Sequence, residues 1–280
     1  MMDKTQSIIS AAYDALAEEN PMTVREIHYV LVVALIIENT IQNYKAVSRA
    51  LVKARKEGLI PWDWIEDRIR IPHDVPMWED LSTFGETVLD SYKRDIWQTQ
   101  ENYVACWVEK DAISGFFVRE LEPYRIAVNV GRGFDGWDSI YKAAQLFKAR
   151  AKLHKSVTVL YFGDFDPSGE EMVTSLRKRL GELGARPNII KCALTKEQIL
   201  KYSLPPIPTK ETDSRRAKFI AQNGDACVEF EALSSARRRA ILIPHVESLL
   251  NMNALRETLA VEGRELKMLA ESIEGWRGAA

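Results

Sequence analysis

Three carboxylates stand where chemistry could be done. Glu109 directly follows the apolar run Val104 to Val108, and Asp164 and Asp166 follow the run Val157 to Phe162, in Gly163-Asp164-Phe165-Asp166-Pro167-Ser168-Gly169. Carboxylates gathered in one place repel unless a cation lies between them. Oxygen-only donors suit Mg²⁺, which keeps several waters and engages phosphate oxygens. Each acid alone also reads as a first-turn or capping residue of the helix that follows it; at the ends of two strands of one sheet, the three together point to a metal centre. A fourth reactive residue is Tyr29, in Arg25-Glu26-Ile27-His28-Tyr29. At about 100° per residue it lies about 140° from the centre of the Val24/Ile27/Leu31/Leu35 stripe and on the face of Arg25, so it should point away from its own helical core. A phenol with a pKa near 10 is a poor nucleophile at neutral pH, and an adjacent guanidinium would hold a phosphate and favour the phenolate. A packing or interface contact is the plainer reading of such a tyrosine. His28 falls near the apolar stripe and reads as a core histidine.

The elements that must position these residues follow from periodicity. Residues 5 to 18 read as a helix, and Thr23 with Glu26 forms a capping-box pattern opening a second. A third runs from near Asn43 to a stop at Gly58, with Tyr44, Val47, Leu51 and Val52 apolar. Its other face carries Lys45, Arg49, Lys53 and Lys56, with no acid between Lys45 and Lys56. Such a row is either the solvated side of an amphipathic helix or a DNA-recognition surface. Short apolar runs around Trp62-Asp63-Trp64 then predict a winged helix-turn-helix within residues 1–75. A connecting helix or linker is expected over 76–100, with a polar helical stretch from Glu79 to Lys93. From residue 101 to 200 the rhythm is β-α-β-α-β-α-β, the pattern of a parallel sheet whose ligands bind beyond the strands' carboxyl ends. Residues 201–280 should complete that domain with helices and supply a dimer contact.

Bulk composition supports a folded protein. With 280 residues, 46% of them hydrophobic, and a formal charge of −2, the chain can bury a sizeable core but has no overall basic signature. The longest apolar run, Val30 to Ile37, is far short of the roughly 20 residues that span a bilayer, and a cytoplasmic location is expected. Three widely spaced cysteines suggest reduced thiols, at least two of them in core strands. Gly131-Arg132-Gly133-Phe134-Asp135-Gly136 matches a dinucleotide-binding loop in form. It follows the second strand and has no ribose-binding acid downstream, so a loop where Arg132 meets DNA phosphate is preferred. No phosphate-binding ATPase loop occurs. The basic runs Lys210 to Lys218 and Arg237-Arg238-Arg239 could extend a DNA channel or form solvated helix faces.

A Glu ending the first strand and an Asp-x-Asp ending a later one resemble the Toprim domain of topoisomerases, primases and related nucleases. The wording Asp164-Phe165-Asp166-Pro167-Ser168-Gly169 looks most like the A subunit of topoisomerase VI and its meiotic double-strand-break relatives, of the compact stand-alone type, over most of the chain. That family carries its tyrosine in a motif like R-[DE]-x-[YF]-Y, which Arg25 to Tyr29 match except at His28. The resemblance implies an α/β fold, with a winged helix-turn-helix followed by a Rossmann-like Toprim domain and C-terminal helices. It also implies Mg²⁺ on Glu109, Asp164 and Asp166, and Tyr29 as nucleophile with Arg25 beside it. The implied reaction is transesterification of double-stranded DNA with a 5′-phosphotyrosyl link, Glu109 being a ligand or an acid/base at the leaving oxygen. A homodimer is implied, Tyr29 of one copy meeting the acids of the other, together with a nucleoid-associated location and an ATPase-bearing partner subunit as a further expectation. Hydrolysis of DNA by metal-activated water and non-enzymatic DNA binding are the alternatives.

Overall fold

The structure is a computed structural model and describes residues 4–66, 75–131, 137–153, 156–209, 211 and 213–275. Helices α1 (Lys4–Glu18), α2 (Val24–Val33) and α3 (Ile41–Lys56) pack around one apolar cluster that includes Ile8, Leu16, Ile27, Leu31, Val47 and Leu51. The Thr23 hydroxyl accepts the Glu26 backbone N–H while the Glu26 carboxylate accepts the Thr23 N–H, so the capping box predicted for α2 forms. The apolar stripe ends sooner than its spacing predicts. Leu35 lies beyond α2 at φ +58° and is 91% exposed. There the Ile36 N–H turns back to the Leu31 carbonyl, which tips Leu35 outward and leaves the buried place to Ile37. Thr40 caps α3 two residues earlier than expected, and Tyr44 and Val52, predicted as core, are exposed. Gly58 adopts φ +72° past the end of α3, where a left-handed residue favours glycine.

Of the predicted wing, the described part is a single 3₁₀ turn, Trp62–Trp64, and one bridge between Met22 and Ile65. Residues 67–70 lie outside the described residues. The helical stretch expected from Glu79 to Lys93 forms as α4 (Leu81–Ser91), which packs on the last helix. A Cβ at Gly85 would lie 2.4 Å from the Ile273 side chain, so only glycine permits that approach.

The alternating rhythm produces the expected parallel sheet. Strands β1 (Asn102–Val108), β2 (Ala127–Val130), β3 (Ser156–Phe162) and β4 (Asn188–Ala193) lie in the order β2-β1-β3-β4, all parallel. Between them run α5 (Ser114–Leu121), α6 (Trp137–Leu153) and α7 (Pro167–Glu182). After β4 come α8 (Lys196–Tyr202), α9 (Arg216–Asn223), α10 (Ser235–Glu247) and α11 (Met252–Glu274), the last two contributing Ile241, Leu242, Val246 and Leu255 to the sheet's core. Cys106 and Cys192 are buried in β1 and β4, and Cys227 is buried in a loop; all three are free thiols. No helix among the described residues is long and apolar enough to cross a membrane.

Candidate active site

The central strands end side by side, Val108 opposite Phe162, and the Glu109 N–H continues the ladder to the Phe162 carbonyl at 3.0 Å. This brings Glu109 and the Asp164 loop to one sheet edge, as their positions after the two apolar runs predict. The Glu109 carboxylate accepts the Asp164 backbone N–H at 3.0 Å and the Tyr161 hydroxyl at 3.4 Å. A Cβ at Gly163 would sit 2.5 Å from that carboxylate, so the absence of a side chain there lets Glu109 close onto the loop. Asp164 is buried, accepting the Phe230 N–H at 2.9 Å on one oxygen and the Lys110 ammonium at 2.7 Å on the other. Asp166 is half-buried and accepts the Gly169 N–H at 2.6 Å, capping α7. Asp164, Asp166, Asp213 and Glu229 line a small pocket beside this edge.

The Lys110 ammonium lies at the centre, 3.0 Å from Glu229 and 3.1 Å from Glu231 as well as against Asp164. Arg25 reaches the same two glutamates from α2, 2.8 Å to Glu231 and 3.3 Å to Glu229, and the Tyr29 hydroxyl donates to Glu229. Beside them the buried Arg238 pairs with Glu26 at 3.2 Å. The face that the sequence turns away from the helical core at Tyr29 is therefore a seam. Tyr29 turns away from the helical core, as its angle requires, but is buried against the sheet unit of its own chain.

Electrostatics at the seam reverse one expectation. The attraction between Arg25 and the Tyr29 phenolate is outweighed, since the guanidinium is also engaged by Glu229 and Glu231. Burial, and then the Glu229 carboxylate that accepts its proton, push the Tyr29 phenol well above its ordinary value. Burial likewise pushes the carboxyls of Glu109 and Asp164 up, in Asp164 against the pull of Lys110. Glu229 is held below the usual carboxylate range, since Lys110, Tyr29 and Arg25 outweigh the cost of its burial. Asp164, Glu229 and Glu231 thus converge on Lys110, Arg25 pairs with the two glutamates, and Glu109 and Asp166 add two more carboxylates held on backbone N–H groups.

That excess of negative charge, on oxygen donors alone, fits a hard divalent cation chemically. As placed, no three Asp, Glu, His or Cys side chains among the described residues converge to hold one, and Lys110 fills the middle of the cluster. Lys110, Glu229 and Glu231 escaped the sequence reading. Two signals mark them: the Glu109-Lys110 adjacency, and the alternation Val228-Glu229-Phe230-Glu231-Ala232, which would put two acids on one side of an extended segment, although Phe230–Ala232 forms a 3₁₀ turn.

The remaining candidates divide. Lys45, Arg49, Lys53 and Lys56 all lie exposed along α3, Lys53 3.9 Å from Glu57. Arg132 and the rest of its glycine-rich loop to Gly136 lie outside the described residues, as does Lys210. In the run Arg237 to Arg239, the first and last residues are exposed and the middle one is buried. Arg237 donates to the Tyr202 carbonyl, Arg238 is buried on Glu26, and Arg239 binds Glu120 at 2.7 and 2.5 Å. His28 is buried, its Nε2 3.3 Å from the Asn39 side chain, in agreement with a core role. Compared with known proteins, the chain matches no family model, no curated protein and no solved structure.

Proposed function

We propose that this chain is a Mg²⁺-dependent, DNA-cleaving transesterase like the topoisomerase VI A subunit, with a winged-helix unit docked on a Toprim-type sheet. One observation carries the reading: the Tyr29 hydroxyl, on a helix that shares its unit with a row of exposed basic residues, meets a carboxylate-rich edge of a parallel sheet. Lys45, Arg49, Lys53 and Lys56 attract the DNA backbone, a contact that does not depend on sequence. Arg25 and Lys110, released from their glutamates by a competing anion, orient the scissile phosphate against Tyr29. Tyr29 attacks the phosphorus, leaving a 5′-phosphotyrosyl link and a free 3′-OH. Asp164 and Asp166, with Glu109, would hold Mg²⁺, which would supply neutralisation of phosphate charge. A single chain carries one candidate nucleophilic tyrosine, so cutting both strands of a duplex takes two copies, and strand passage would take an ATPase-bearing partner.

Hydrolysis by metal-activated water is the second reading, favoured by the upward shift of the Tyr29 phenol, which makes it harder to ionise. One assay separates them. Supercoiled plasmid is incubated with the protein and Mg²⁺, stopped with detergent, and run with and without protease. Broken DNA carrying covalent protein, lost in Tyr29→Phe and in Glu109→Gln, is the expected result. Protein-free breaks that survive Tyr29→Phe would establish hydrolysis, and binding without breaks under any divalent ion would leave a DNA-binding protein.

A further inference from the structure

Helices α2 and α3 end in the same backbone motif, and only one of them ends with the residue that the motif favours. At the close of α3 the Gly58 N–H donates to the Arg55 carbonyl at 3.2 Å and the Leu59 N–H to the Ala54 carbonyl at 2.9 Å, with Gly58 at φ +72°. At the close of α2 the Leu35 N–H donates to the Val32 carbonyl and the Ile36 N–H to the Leu31 carbonyl, each at 3.0 Å, with Leu35 at φ +58°. These are the paired bonds of a Schellman ending, whose left-handed residue is usually glycine because a Cβ there crowds the following carbonyl. Leu35 bears that strain with a side chain the fold does not bury, the residue being 91% exposed. Glycine would close α2 with less strain, so the use of this leucine lies outside the chain's own packing.

We propose that the turn between α2 and α3 is an apolar wedge that enters a base step of duplex DNA, with Leu35 at its tip and the basic row of α3 on the flanking backbone. The inference rests on the DNA-binding part of the reading above and adds the element that deforms the duplex. Val33, Ile36 and Ile41 join Leu35 as exposed apolar residues of the turn. Ile41, Lys45 and Arg49 are all exposed and follow at intervals of four, so the apolar turn runs directly into the cationic face of α3. Such a surface fits DNA, whose backbone takes the charge while its stacked bases take the wedge. A two-fold contact with a second copy through the same patch would instead bring two cationic rows together. The turn is also fixed in place. The Thr40 hydroxyl accepts the Asn43 N–H at 3.1 Å, the Asn43 side chain donates to the Glu38 carbonyl at 2.9 Å, and Asn39 reaches His28 Nε2 at 3.3 Å. His28 stands edge-on to both Tyr44 and Tyr29, with centroids 5.5 and 5.6 Å away. A base step opened by Leu35 is therefore held in register with the tyrosine of the same chain, whichever copy supplies the acids.

The test uses the full chain without divalent ions, so that no strand is cut, on a duplex of about 30 base pairs with a donor dye at one end and an acceptor at the other. The wild-type chain should bring the ends closer together. It should also bind a duplex with a central mismatch, where the stack is already weakened, about tenfold more tightly than a matched one. Leu35→Gly should bind without bending and lose the preference for the mismatch, while its melting temperature rises by about 2 °C. A Leu35→Gly chain that bends matched duplex and prefers the mismatch as the wild type does, or a wild-type chain that binds duplex without bending it, overturns the proposal. So does a lower melting temperature in Leu35→Gly, which would show that the fold itself uses the side chain. A change from dimer to monomer on sedimentation of Leu35→Gly would also overturn it, by giving the turn to a contact between copies. All of these leave DNA cleavage standing. A wild-type chain that binds no duplex overturns both, and one that bends duplex but never links to it covalently supports the wedge and sinks transesterification alone.

Discussion

Helices α2 and α3 share one apolar cluster, yet Arg25, Glu26 and Tyr29 of α2 turn into the molecule, whereas Lys45, Arg49, Lys53 and Lys56 of α3 face water. Charge removed from water must be paired, so the α2 face comes with matched partners, Glu229, Glu231 and Arg238, at fixed distances. Exposed charge needs no partner and contributes little to the fold, which leaves it free for a polyanion. One helix holds a geometry and the other offers a field.

Breaking the seam should have the largest effect. Glu231→Ala removes a buried carboxylate shared by Arg25 and Lys110 and should cost about 3 kcal/mol of stability in urea unfolding. A cost within about 0.5 kcal/mol, typical of surface sites, would mean that the seam is no firmer than the α3 face. Next comes the loop that presents the acids. A Cβ at Gly169 would lie 2.3 Å from the Asp164 carbonyl, which is backbone and cannot swing aside. Gly169→Ala should therefore cost about 2 kcal/mol, read from a thermal melt, and should suppress cleavage by displacing Asp164.

A smaller, pH-dependent effect is expected at His28. Burial is the largest influence and holds its imidazole below the ordinary 6.5, with Arg25 adding to it. The unfolded chain thus binds this proton more readily than the fold does. Stability from this group is complete above pH about 6.5 and is lost as pH falls below that value. The slope of stability against pH below 6.5 should flatten in His28→Phe, measured by urea unfolding at several pH values. The smallest effect on the fold is expected at Lys45→Ala and Arg49→Ala, each within about 0.5 kcal/mol. Each should nonetheless reduce the salt dependence of DNA binding by about one unit of slope in a titration. An unchanged slope would remove α3 from the DNA-facing surface.

Much of the scaffold could be read before any coordinates. The Thr23/Glu26 box, the left-handed stop at Gly58 and the run of strands and helices from 101 to 200 are local patterns, set by periodicity and capping within a few residues. The places where that reading fails are tertiary. Leu35 belongs to the stripe by spacing but loses its place to Ile37 when the chain turns toward α3, and α4, legible as a helix, shows its packing partner only when Gly85 meets Ile273, far along the chain.

The candidate site divides along the same line. Glu109 and Asp164 could be assigned to one edge from sequence, because parallel strands of one sheet end together and a residue just after each must share that edge. The direction of Tyr29 away from its own core followed from helix geometry alone. What lay opposite it did not. Glu229 is 200 residues away from Tyr29, and Lys110 gains its three carboxylate partners only when the segment after Cys227 folds back beside the DxD loop. Pairing of charge across such a separation leaves no periodic trace in the chain. The sequence determined which residues could do chemistry and which edge would hold them, and only the packing of α2 on the sheet unit decided that Arg25 and Tyr29 meet acids rather than water.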